Sequence, residues 1–161
     1  MSNNKKIFIY LIFLSIFFSS FIKAEEIPYL LTASSKGDVE MVKAIIDSGG
    51  NPNSRDKDNI TALMYASRKK QVEIVEYLIS KVALINKTER DGWTALMFAA
   101  KKNFTKIVSL LLAHGADPKI TDPDGWSAYG LAASSGFHET INLLIQYGID
   151  HTDQIFRWDQ F

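Results

Sequence analysis

Few side chains in this chain could carry out a reaction, and they do not converge. The three histidines, His114, His138 and His151, are scattered, with no second ligand at metal-binding spacing. Cysteine is absent, which removes thiol chemistry, thiolate ligands and disulfides. No glycine-rich loop follows a strand-like run, so a phosphate cradle has no place to form. No Ser-His-Asp set and no carboxylate pair recurs where it would line a pocket. The expectation is a protein that is not an enzyme, with no catalytic residues, no metal site and no cofactor.

The residues that do recur suit binding. Ile60, Trp93 and Trp126 each follow a turn pair, Asp58-Asn59, Asp91-Gly92 and Asp124-Gly125. Large apolar groups at exposed turns are costly in water and are enriched at binding hot spots. The same side chains also suit packing against a neighbouring turn, and the sequence admits both roles. Tyr65, Phe98 and Leu131 recur one residue before Ala66, Ala99 and Ala132, which places them on an inner face, packed and partly exposed. A basic cluster accompanies them: Arg68, Lys69 and Lys70 in one unit, Lys101 and Lys102 in the next. Cations suit the end of a helix, where they face its negative pole, and they also suit an acidic partner.

These residues are positioned by a repeat. Asp58, Asp91 and Asp124 are 33 residues apart, as are Thr61, Thr94 and Ser127, and Ala62, Ala95 and Ala128. Ala33, Ala66, Ala99 and Ala132 extend the ladder to four copies, and so do Ile46, Ile79, Leu112 and Ile145. In each unit an Asp-Gly or Asp-Asn pair marks a tight turn, since these residues tolerate positive φ. Thr61, Thr94 and Ser127 can then cap a short helix by accepting an orphan amide of its first turn. A second helix carries Ile74, Val75, Leu78 and Ile79, or Ile107, Val108, Leu111 and Leu112, the stripe of a half-buried helix. Gly115 and Gly148 are placed to end it, while Val82 interrupts that phase. The period predicts an all-α solenoid with helix pairs near 29–48, 62–81, 95–114 and 128–147.

Thr61-Ala62-Leu63-Met64-Tyr65-Ala66 and Thr94-Ala95-Leu96-Met97-Phe98-Ala99 resemble the Thr-Pro-Leu-His-x-Ala signature of ankyrin repeats. Leu110-Leu111-Leu112-Ala113-His114-Gly115-Ala116-Asp117-Pro118 is similar to that family's leucine-rich helix end and Gly-Ala-Asp exit. Four units, 25–57, 58–90, 91–123 and 124–152, would then fill residues 25–152, with Ser134, Ser135, Asn142 and Gln146 giving the last one a polar outer side. The resemblance implies turns that project as fingers and, with the inner helices, form a concave surface that grips another protein. Three departures stand out. Met64, Met97 and Gly130 occupy the place of the family's turn-bracing histidine, Val82 that of a cap glycine, and Lys70 that of a glycine between helices. They mark the second unit as the weakest joint, or as one whose helix ends differently.

The first residues have another character. Lys5 and Lys6 precede an apolar run from Ile7 to Phe18, and Ala24 stands before Glu25 and Glu26. This is the layout of a signal peptide, residues 1–24, cleaved after Ala24; the alternative is a retained anchor over Ile7 to Ile22. Cleavage removes Lys5, Lys6 and Lys23 and no acid, leaving 15 basic against 18 acidic side chains, a balance of −3. Such a chain has no global attraction to nucleic acid or to an anionic membrane. Lysine outnumbers arginine 14 to 4 and isoleucine and asparagine abound, which with the leader points to a bacterium. Residues 153–161 form an aromatic tail expected to pack on the last unit. Asn59, Asn86 and Asn103 head Asn-x-Thr sequons that matter only where N-glycosylation occurs. The expectation is a monomeric, exported binding module, periplasmic or secreted, with a protein partner. That partner would be an enzyme of the same cell, as for exported ankyrin proteins that accompany catalases, or a host protein. A membrane-tethered scaffold is the competing reading.

Overall fold

The computed structural model describes residue 27 and residues 29–148; the expected leader and aromatic tail lie outside the described residues. Among the described residues, eight helices form four antiparallel pairs: α1 (29–36) with α2 (Val39–Asp47), α3 (Ala62–Arg68) with α4 (Val72–Ser80), α5 (Ala95–Lys101) with α6 (Thr105–Ala113), and α7 (Ala128–Ala133) with α8 (His138–Gln146). The predicted pairs are therefore present at the predicted places. Among the described residues there is no sheet, and the two isolated bridges, Arg55 with Thr61 and Thr121 with Ser127, close turns.

Side-chain caps start α3, α5 and α7. The hydroxyl of Thr61 accepts from Met64 N at 3.3 Å and that of Thr94 from Met97 N at 3.2 Å. The methionines reciprocate, with Sδ accepting from the threonine amide at 3.4 Å in both units. Sulfur, a weak acceptor, thus closes the box in the place of the expected histidine. The outer helices have no such cap at Gln71, Phe104 or Phe137. The chain instead turns sharply through left-handed residues, Lys70 at φ 62° and Asn103 at φ 54°. The amides of Gln71 and Phe104 then reach back to the carbonyls of Ala66 and Ala99, at 2.9 and 3.0 Å, so the end of each inner helix is satisfied as the next one begins.

Stacking buries what a single pair cannot. α3 packs on α5 and α5 on α7, while α4 and α6 form part of the outer row. Ala66, Ala99 and Ala132 have no exposed surface, and their small side chains let the inner helices approach closely. Val75, Leu78, Val108, Leu111 and Leu144 fill the space between the rows; each buried side chain of this size contributes ~1.5–3 kcal/mol. Position in the stack decides exposure. Ile74 and Ile107 are buried at 1% and 0%, whereas Met41, in the same phase of the first described pair, is 45% exposed. At this phase of the fourth pair, Thr140 is buried and donates to Asn103 Oδ1 at 2.8 Å.

Candidate protein-binding surface

The fingers are built on an acidic residue at the base of each turn. Asp56 Oδ1 accepts from the amides of Asp58 and Ile60, both at 2.9 Å. Glu89 Oε1 accepts from Asp91 N and Trp93 N, both at 3.0 Å, and Asp122 Oδ1 from Trp126 N at 2.8 Å. Glu89 and Asp122 are buried, so each carboxylate is held by the turn it organises. Sequence reasoning missed this clamp. Its signal was available: Asp56, Glu89 and Asp122 keep the 33-residue spacing two residues before the turn pair.

The clamps aim the apolar tip residues. Ile60, Trp93 and Trp126 are all half-buried, neither free tips nor core. The Trp93 indole donates to Asp122 Oδ2 at 3.1 Å, tying the second finger to the third. Its ring lies 5.2 Å from that of Phe98. Arg90 binds the second finger to the first, with Nη1 on Asp58 Oδ1 at 2.9 Å and Nη2 on the Lys57 carbonyl at 3.2 Å. Trp126 takes another course and lies beside Gly130 on α7, where a side chain would meet its ring at 3.4 Å. The tip residues thus share one sequence position but not one environment.

On the inner helices, Tyr65 and Phe98 are half-buried, and Leu131 is fully packed. Arg68 lies between the first two, its guanidinium carbon 5.0 Å from the Tyr65 ring centre and 5.6 Å from that of Phe98. The Tyr65 hydroxyl donates to Asp56 Oδ2 at 2.9 Å. Burial, and then this bond to a carboxylate, push the phenol above its ordinary value of 10.0. Ile60, Arg68, Trp93 and Phe98 line one cleft of about 470 Å³, together with Asp58, Glu89, Arg90 and Asp91. Trp126 lies outside it. Lys69, Lys101 and Lys102 are exposed at the ends of α3 and α5, which pack together. Lys70 leaves the cluster and sits 5.6 Å from the Phe104 ring at the start of α6.

The family model described as ankyrin repeats (3 copies) matches residues 2–91, 30–122 and 81–155. The chain belongs to the ankyrin-repeat family. No curated protein matches it. Ankyrin repeats are generally protein–protein interaction modules and typically non-catalytic. Among the described residues no group of three or more side chains could hold a metal ion, and no helix is long and apolar enough to cross a membrane.

Proposed function

We propose that this ankyrin-repeat chain is an exported binding module that grips a partner protein between its fingers and the ends of its inner helices, without catalysis. One observation carries the reading. The cleft lined by Ile60, Arg68, Trp93 and Phe98 gathers aromatic and arginine groups, the residue types that dominate interface energetics, on one concave stretch. Lys69, Lys101 and Lys102 extend that stretch, and Trp126 continues the finger row beyond it. The run Ile7 to Phe18 and the Ala24-Glu25 junction support export to the periplasm or beyond, with the protein acting as a monomer.

Two measurements test this. The mass of the protein recovered from the native compartment should correspond to a chain starting at Glu25; a chain that still starts at Met1 would favour the membrane-tethered scaffold instead. A partner cross-linked in that compartment should bind Trp93→Ala or Phe98→Ala more weakly by ~2 kcal/mol or more. Unchanged affinity in both variants, with folding intact, would remove the concave site.

A further inference from the structure

Four cations, Arg68, Lys69, Lys101 and Lys102, gather at the ends of α3 and α5. Four other cations do pair: Lys43 with Glu73 at 3.1 Å, Lys81 with Asp47 at 2.8 Å, Lys106 with Glu76 at 3.6 Å and, within the cleft, Arg90 with Asp58 at 2.9 Å. Among the described residues, Arg68, Lys69, Lys101 and Lys102 are in no ion pair. Of the carboxylates that line the cleft with Arg68, Asp91 is exposed and the other two are engaged. Asp58 holds Arg90, and Glu89 accepts the amides of its own turn. The two pairs of positions, 68 with 101 and 69 with 102, are one repeat apart on helices that pack together, so their charges add along one edge. Arg68 also belongs to the cleft, with its planar group stacked between Tyr65 and Phe98. Stacking fixes the plane of a guanidinium while leaving its edge N–H groups available to a carboxylate.

We infer that the partner presents an acidic, extended peptide segment to this face, an inference that rests on the concave-site reading above. One carboxylate meets the edge of Arg68, an apolar side chain beside it enters the cleft between Ile60 and Trp93, and further carboxylates follow the lysine edge. The cleft supplies discrimination and the lysines supply steering, which falls as salt is added. A nucleic acid could use the same cations, but the buried Glu89 and exposed Asp91 that also line the cleft disfavour a phosphate backbone beside the aromatic groups.

The probe is a short capped peptide of alternating Leu and Glu carrying a fluorescent label, titrated with the full chain. Its Gln counterpart and an oligothymidylate of equal charge serve as comparisons. The Glu peptide should bind saturably and about tenfold or more tightly than the Gln peptide at low salt. Arg68→Gln, and separately the double change Lys101→Glu with Lys102→Glu, should each weaken it by about tenfold, while Lys106→Gln on the outer row leaves it unchanged. Because Arg68 also packs on two rings, the double lysine variant is the deciding measurement if Arg68→Gln lowers the thermal midpoint. Equal binding of the Glu and Gln peptides, or indifference to charge reversal, overturns the inference. Tighter binding of the oligothymidylate overturns it in favour of nucleic acid. If a peptide binds regardless of charge and is lost on Trp93→Ala, the acidic partner falls while the concave site stands.

Discussion

The second and third repeats trace the same backbone with different residues at its most demanding points. At the end of α6 the chain leaves through Gly115 at φ 89°; at the end of α4 it leaves through Val82 at φ 62°. The hydrogen bonds match. Gly115 N and Ala116 N reach Leu112 O and Leu111 O at 3.1 and 2.9 Å, and Val82 N and Ala83 N reach Ile79 O and Leu78 O at 3.2 and 3.1 Å. Of the two endings the sequence left open, the structure shows the strained one. The neighbouring repeat explains why. Asn53 donates to Val82 O at 3.3 Å and accepts from Leu84 N at 2.7 Å, as Asn86 does with Gly115 O at 3.0 Å and Asp117 N at 2.8 Å. An asparagine one repeat earlier clamps the exit, so the path is imposed on whichever residue occupies it. The second repeat also carries Lys70 at positive φ where the third has Asn103, and buried Ser67 where the third has Ala100.

The comparison breaks most visibly through the shared core. Leu78→Ala and Leu111→Ala remove equivalent, fully buried side chains and should each destabilise by ~3 kcal/mol in urea titrations. Costs that differ by more than about half that amount would mean the two repeats do not share one cooperative core. The exit residues come next. A Cβ at Gly115 would meet no atom within 4 Å, so Gly115→Val should cost ~1–2 kcal/mol, chiefly through the backbone. Val82→Gly should gain ~1 kcal/mol, less because glycine loses more freedom on folding. If both changes are neutral, strain does not separate the repeats. The Ser67 hydroxyl is buried with no hydrogen-bond partner among the described residues, so Ser67→Ala should stabilise by ~1 kcal/mol and Ala100→Ser reverse it, read as shifts in urea midpoint.

The smallest effect concerns charge. The Lys81 ammonium, and then the Tyr77 hydroxyl, hold Asp47 below its ordinary 3.8. Its contribution is therefore present above that pH and lost as acid protonates the folded carboxylate below it. The junction of the second and third repeats has Ser80, Leu110 and His114 at the corresponding places and cannot form the triad. Asp47 and Lys81 are solvent-exposed and Tyr77 is half-buried, so Asp47→Asn should change only the acid limb of the stability profile, and only slightly.

What the sequence disclosed follows from what a period can carry. Thr61, Thr94 and Ser127 cap helices because capping is settled within three residues, and Leu78 and Leu111 are buried because their spacing defines a face. Met64 and Met97 were legible as departures from the histidine, but not as acceptors, since a sulfur bond depends on a rotamer. The Trp93 bond to Asp122 was out of reach for a related reason: residues 29 apart meet only once the distance between two fingers is known. The lining of the candidate cleft was legible to the same extent. Ile60, Arg68, Trp93 and Phe98 were each singled out and line one cleft, whereas nothing in the sequence separated Trp126 from Trp93. Trp126 lies instead beside Gly130, where an added Cβ would stand 3.4 Å from its ring.

The serial stacking of α3, α5 and α7 has a mechanical meaning. Held at its two ends, such a molecule is a row of springs rather than a single block. Load reaches every junction equally, and the one with the weakest grip opens first. A released 33-residue unit yields about 110 Å of extended chain, at ~3.3–3.6 Å per residue. Lengthening therefore comes in strides of one repeat, and a partner spread across two fingers would act as a rivet, delaying the stride between them.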